Sequence, residues 1–114
     1  MSLETSSTNG FTIVRLPTRL DAAAADMVRT ELVSLLGAAR TGLLLDLSMV
    51  KFIDSTGLGV LVTVHKTAVA KDLKFALFAL PDPVREIVEV TRLHSVFDVY
   101  PDLDSALAAL CPGN

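Results

Sequence analysis

FIDSTGLG (Phe52–Gly59) joins a short apolar approach to an acid, two hydroxyls and two nearby glycines, and Leu58 begins a run of helix-forming residues. The stretch reads as a strand-to-helix junction. Upstream, LLLDLS (Leu43–Ser48) is the short apolar run of a buried strand. Downstream, a helix is expected from about Thr56 to Ala70, followed by LKFALFAL (Leu73–Leu80), a second buried strand stopped by Pro81.

The same alternation extends to both ends. Asn9-Gly10 is a hairpin signal, with Phe11, Ile13 and Arg15 alternating against Thr12, Val14 and Leu16, and Pro17 closing the second strand. Asp21 is placed to cap a helix running to about Arg40, with Gly42 beyond its end. Met27, Val28, Leu32, Leu35 and Leu36 give that helix one apolar stripe. Pro83 opens a third helix with Val84, Ile87 and Val88 on its inner face. Val96–Tyr100 is a weaker strand, and Asp102 or Asp104 caps a last helix, SALAAL. A hairpin followed by alternating helices and strands implies an α/β fold with one mixed sheet backed by helices.

The bulk numbers narrow the function. The 114 residues fit one domain, 1–114, and 51% hydrophobic residues suffice for a core. A net charge of −3 with scattered basic residues gives no nucleic-acid footprint. No apolar run approaches the ~20 residues of a membrane span. No basic patch precedes an apolar stretch at the N-terminus, so no secretory signal is expected. The single cysteine, Cys111, fits a reducing cytosol. It stands beside Pro112 with no histidine near in sequence, and so reads as passive rather than nucleophilic.

Several chemistries fail at the junction. The D-S-T-G order does not match the aspartic-protease turn, in which the glycine stands two residues after the acid. A serine hydrolase needs G-x-S-x-G, but Ile53 and Asp54 precede Ser55 and the upstream glycine is missing. His65 lies ten residues along the same helix, ~15 Å away at 1.5 Å per residue, and His94 falls in a turn. Both read as ordinary surface or half-buried residues. Gly57-Leu58-Gly59 lacks the third glycine of a dinucleotide fingerprint, and no phosphate loop is present. Two histidines and one cysteine supply no metal cluster, and no cofactor is expected.

What survives is a hydroxyl at a helix start. Ser55 or Thr56 at the N-cap would satisfy an orphan amide, where the helix dipole also favours negative charge. Capping alone does not explain Gly57 and Gly59 in the first turns, since each costs ~1 kcal/mol relative to alanine. Bare backbone that lets another protein approach closely does explain them, and an outward Leu58 would add an apolar anchor. A phosphate at Ser55 would bring roughly −1.5 to −2 charge to such a surface.

LDLSMVKFIDSTGLGVLVTVHKTA (Leu45–Ala68) resembles the signature of STAS-domain anti-sigma factor antagonists: a strand, D-[LV]-S, an apolar stretch, then D-S-[ST]-G-[LI]-G opening a helix. Leu20-Asp21 matches the acid that opens the first helix, and the flanks agree over nearly the whole chain. The resemblance implies a single STAS-like domain, with a mixed sheet of about four to five strands backed by about four helices. It implies a cytoplasmic bacterial regulator, not an enzyme, that binds an anti-sigma factor of the GHKL-ATPase serine-kinase type and so frees a sigma factor. The kinase would phosphorylate Ser55 and a PP2C-type phosphatase would reverse it. Asp21, Asp54, Thr56, Gly57, Leu58 and Gly59 would form the partner-binding surface, on a monomer.

The resemblance has departures. Thr18-Arg19 stands where many members carry Gly-Glu, reversing one rim charge that bears on partner choice, and Lys71-Asp72 replaces a common Gly-Gly turn. An accessory or scaffold subunit of a transporter or sensory complex is the alternative reading of the same domain. The intact hydroxyl favours the switch, since scaffolding needs no acceptor.

Overall fold

The computed structural model describes residues 3–111. Five strands form the main sheet in the order β1 (Glu4–Thr8), β2 (Phe11–Arg15), β4 (Gly42–Asp46), β6 (Lys74–Phe78), β7 (Asp98–Tyr100). β1 is antiparallel to β2 and the other pairs are parallel, so the sheet is mixed as expected. The Asn9-Gly10 turn works because both residues take positive φ, 54° and 85°, the pair a two-residue hairpin demands.

One face of the sheet carries the larger core. α1 (Ala22–Ala38), α2 (Ser55–Ala70) and α3 (Asp82–Val90) cover it with Val28, Leu32, Leu36, Leu61, Val64, Val84 and Val88. α4 (Leu103–Leu110) covers the other face, where Ala106 sits among Phe11, Ile13, Leu44, Ala76 and Phe78. Covered on both sides, β4 is buried at all five positions, which explains its unbroken apolar run.

Several boundaries differ from expectation. α1 ends at Ala38, and Gly42 is the first residue of β4 rather than a helix stop. α3 begins at Asp82 with Pro83 in its first turn, where its missing N–H leaves no gap. The last strand is only Asp98–Tyr100, because Val96 and Phe97 close the 3-10 turn of Leu93–Ser95, both donating their N–H to Leu93 O at 2.9 Å. Asp102 rather than Asp104 caps α4, accepting from Ser105 N at 2.8 Å.

On the helix side of the sheet, half-buried His65 stands edge-on to Phe75 of β6 and to Phe97, both centroids 5.8 Å away, and His94 is exposed. Cys111 is half-buried at the margin of the smaller core, and its neighbour Pro112 lies outside the described residues. Asp72, standing in the Gly-Gly position of the resemblance, takes φ 59°, a conformation glycine adopts freely.

Ala79, just past β6, has φ 60°. The left-handed conformation costs an L-residue roughly 1–2 kcal/mol. Ala79→Gly is expected to raise stability by roughly half to one kcal/mol, the gain being trimmed by glycine's freedom in the unfolded chain. Urea unfolding with an unchanged m-value checks this.

Candidate functional site

Two short strands outside the main sheet build the site. β3 (Arg19–Leu20) runs parallel to β5 (Phe52–Ile53), with Arg19 opposite Phe52 and Leu20 opposite Ile53. Each strand leads through one aspartate into a helix: Leu20-Asp21 into α1 and Ile53-Asp54 into α2. Leu20 and Ile53 are buried, while Arg19 and Phe52 face out. Two-residue strands carry no readable alternation, so this ladder was not visible in the sequence.

The aspartates do the capping. Asp21 Oδ1 accepts from Ala24 N at 3.2 Å, and Asp54 Oδ1 accepts from Gly57 N at 2.9 Å. The N-cap of α2 is therefore Asp54, not Ser55 or Thr56, and the helix begins at Ser55 itself. Asp54 holds the extended φ/ψ of a cap residue, and its carbonyl accepts the helix bond from Leu58 N at 2.9 Å. Freed from capping, Ser55 and Thr56 are both exposed.

The glycines divide. A Cβ on Gly57 would lie 2.1 Å from the Leu20 carbonyl oxygen, so this glycine lets α2 press against β3. It is buried, and close approach by the chain itself, rather than by a partner, explains it. Gly59 is exposed with open space where a Cβ would go, and remains a place where another surface could come close. Leu58 is only 8% exposed and points into the core, so it is not the outward anchor. The ladder brings Asp21 beside Asp54: Asp54 Oδ2 accepts from Ala22 N at 3.3 Å, and Asp54 N donates to Leu20 O at 3.3 Å.

An apolar group does face outward here, in a place the sequence reading overlooked. Phe52 is 43% exposed, and the Arg19 guanidinium lies 4.5 Å from its ring centroid. Arg19 Nε also donates to Asp21 Oδ2 at 3.1 Å. The pairing of Arg19 with Phe52 follows from their register, and the signal for it was the aromatic in the quoted stretch.

That bond to Arg19, with the Ala24 amide, holds the Asp21 carboxyl below its ordinary value of 3.8. A lowered carboxyl pKa contributes stability that is complete above the ordinary value and is lost as pH falls through the lowered one. Arg19→Ala is expected to move the Asp21 titration upward toward 3.8, observable by NMR of the side-chain carboxyl. An unmoved titration would leave the backbone amides as the sole cause.

Asp46, the acid of the D-L-S motif, holds the approach to the site. Its Oδ1 accepts from Ser48 N at 2.9 Å and its Oδ2 from Arg15 Nε at 3.3 Å, fixing the turn that leads to β5. Among the described residues no three His, Cys, Asp or Glu side chains gather to hold a metal ion, and no helix is long and apolar enough to cross a membrane.

The chain is similar to known proteins in sequence and in fold. The chain is 28% identical over 111 residues to an anti-sigma F factor antagonist of Paenibacillus polymyxa, covering 96% of this chain and 95% of the relative. An anti-sigma-factor antagonist STAS domain protein of Planctomyces limnophilus superposes with a TM-score of 0.87 at 22% identity, over 96% of this chain and 98% of that one. The antagonist SpoIIAA in its unphosphorylated form gives 0.78 at 16% identity, over 99% of this chain and 100% of that one. Its phosphorylated form, from Bacillus, gives 0.71 at 17%, over 95% and 98%. The fold also recurs in a mouse anion transporter, Slc26a9, at a TM-score of 0.80 and 19% identity, where 93% of this chain covers 18% of that one. The STAS domain family model matches residues 2–106, through both strand–aspartate–helix units and the first three helices and into the fourth, and the chain belongs to that family.

Proposed function

We propose that the chain is an anti-sigma factor antagonist switched by phosphorylation of Ser55. Unmodified, it binds an anti-sigma factor that is also a serine kinase of the GHKL type, and the sigma factor is released. The kinase transfers a phosphoryl group from ATP to the Ser55 hydroxyl, and a PP2C-type phosphatase removes it. The domain performs no catalysis of its own and acts in the cytoplasm of a bacterium.

One observation carries this reading: Asp54 takes the cap, so the Ser55 hydroxyl stands exposed at the first residue of α2 with no capping duty. A hydroxyl that caps a helix is committed to an amide, whereas this one is open to a kinase. The helix start also tolerates the anion that phosphorylation creates. The likeness to an anti-sigma F factor antagonist supports the partner class. Asp21, Thr56 and Gly59 complete the docking face around Ser55.

Incubation with a kinase-type anti-sigma factor of the host and ATP is expected to add one phosphate, located on Ser55 by fragmentation mass spectrometry. Label on Thr56 alone would shift the acceptor by one residue. The second reading, an accessory domain of an anion transporter, draws on the fold shared with Slc26a9. Co-purification with a membrane transporter, and no label at Ser55, would favour it.

A further inference from the structure

Asp54 grips the start of α1 with both its backbone and its side chain. Asp54 N donates to Leu20 O and Asp54 Oδ2 accepts from Ala22 N, each at 3.3 Å, on either side of Asp21. Its second carboxylate oxygen caps α2 through Gly57 N. Asp21 occupies the equivalent place in the other strand–helix unit, yet its second oxygen turns to Arg19 and does not reach across. The β3–β5 ladder has only two residues per strand, so beyond Leu20 and Ile53 the two helix starts lack further strand pairing. The N-terminal ends of α1 and α2, both partially positive, converge on the one Asp54 side chain.

We infer that Asp54 is a positioning residue: its carboxylate clasps the start of α1 to the start of α2 and sets where the Ser55 hydroxyl stands relative to the Asp21 rim. It does this in place of contacting the partner directly. The inference rests on the proposed role of Ser55 and assigns the acid beside it a different task from the one the family resemblance implied.

The clasp can be cut from the far side. Ala22 is the first residue of α1, where proline is favoured, and Asp21 before it is already extended at φ −124°. Ala22→Pro therefore removes the N–H and puts a ring carbon in its place, so the Asp54 carboxylate loses its hold on α1 with no change to residue 54 itself. Asp54→Asn is the complementary cut: its amide oxygen still accepts from Gly57 N, while its NH2 faces the Ala22 N–H and cannot accept. The readouts are amide hydrogen exchange at Asp54, and affinity for the host anti-sigma factor measured by calorimetry. Circular dichroism verifies that each variant is folded.

Each single variant is expected to speed exchange of the Asp54 amide by about tenfold and to weaken partner binding by a similar factor. The double variant should be no worse than either single one, because both remove the same bond. The inference is overturned if Ala22→Pro leaves both readouts at parent values while Asp54→Asn abolishes binding, for Asp54 would then touch the partner itself. Fully additive losses would overturn it as well. The exchange arm needs no partner. If the parent chain binds no anti-sigma factor, the proposed function fails while the clasp is still decided by exchange and the double variant.

Discussion

Ser55→Asp is expected to fold as the parent does and to lose its anti-sigma partner, whereas Ser55→Ala keeps it. Position 55 is the first residue of α2 and is exposed, so neither side chain must enter the core. The cap is undisturbed in both variants, because Asp54 Oδ1 supplies it from the preceding residue. An added carboxylate at the helix start meets a favourable dipole, so the isolated domain tolerates it. A docking surface matched to a neutral hydroxyl cannot. Closing over a second anion beside Asp54 would bury a charge without a partner, at a penalty of about 3 kcal/mol, or roughly a hundredfold in affinity. Far-UV circular dichroism should superpose for all three chains, while calorimetric titration should separate Ser55→Asp from the other two. Equal affinity of Ser55→Asp and the parent would remove the electrostatic basis of the switch. Loss of fold in Ser55→Asp would make the hydroxyl structural.

The second large effect separates the two glycines of the motif. Gly57→Ala is expected to lower stability by about 3 kcal/mol, because the new methyl would stand 2.1 Å from the Leu20 carbonyl oxygen and 2.9 Å from Leu20 Cγ. The first of these is backbone, held by the β3–β5 ladder and by the bond from Asp54 N, so it cannot swing aside as a side-chain tip would. The melting temperature should fall by on the order of 10 °C. Gly59→Ala should do the opposite. With open space around it inside a helix, alanine gains about 1 kcal/mol of helix propensity. If Gly59 is the point of close approach for the partner, that stabler variant binds more weakly, so stability and affinity move in opposite directions. A Gly57→Ala chain as stable as the parent would mean that α2 can back away from β3 without loss.

What could be read from the sequence was local or strongly periodic. Asn9-Gly10 declares its turn through two residues, and the stripe Val28, Leu32, Leu36 declares the buried side of α1. The order of the main sheet is set by which strands meet after long crossovers, which no local pattern encodes. The strand-to-helix junction was legible as such, and its capping was misread. Asp54, Ser55 and Thr56 are three adjacent residues that all make good caps, and propensity does not rank them. The ladder decides: it carries the chain extended as far as Asp54, so the helix starts at Ser55. Likewise Leu58 belongs to the inward side because α2 faces α1 and the sheet along Gly57, Leu61, Val64 and Ala68, a phase that only the packed neighbours fix. The approach of Leu20 to Gly57 spans 37 residues and could not be anticipated from spacing.

The outer margins of the sheet bear on how selective such a domain can be in a crowded cell. β1 is built of Glu4, Thr5, Ser6, Ser7 and Thr8, with Glu4 paired to Arg15 on the neighbouring strand, and β7 at the opposite border is only three residues long. A foreign chain seeking to lengthen the sheet would have to strip water from hydroxyls and an acid on one side, and would find almost no template on the other. Indiscriminate sticking is thereby discouraged along both flanks.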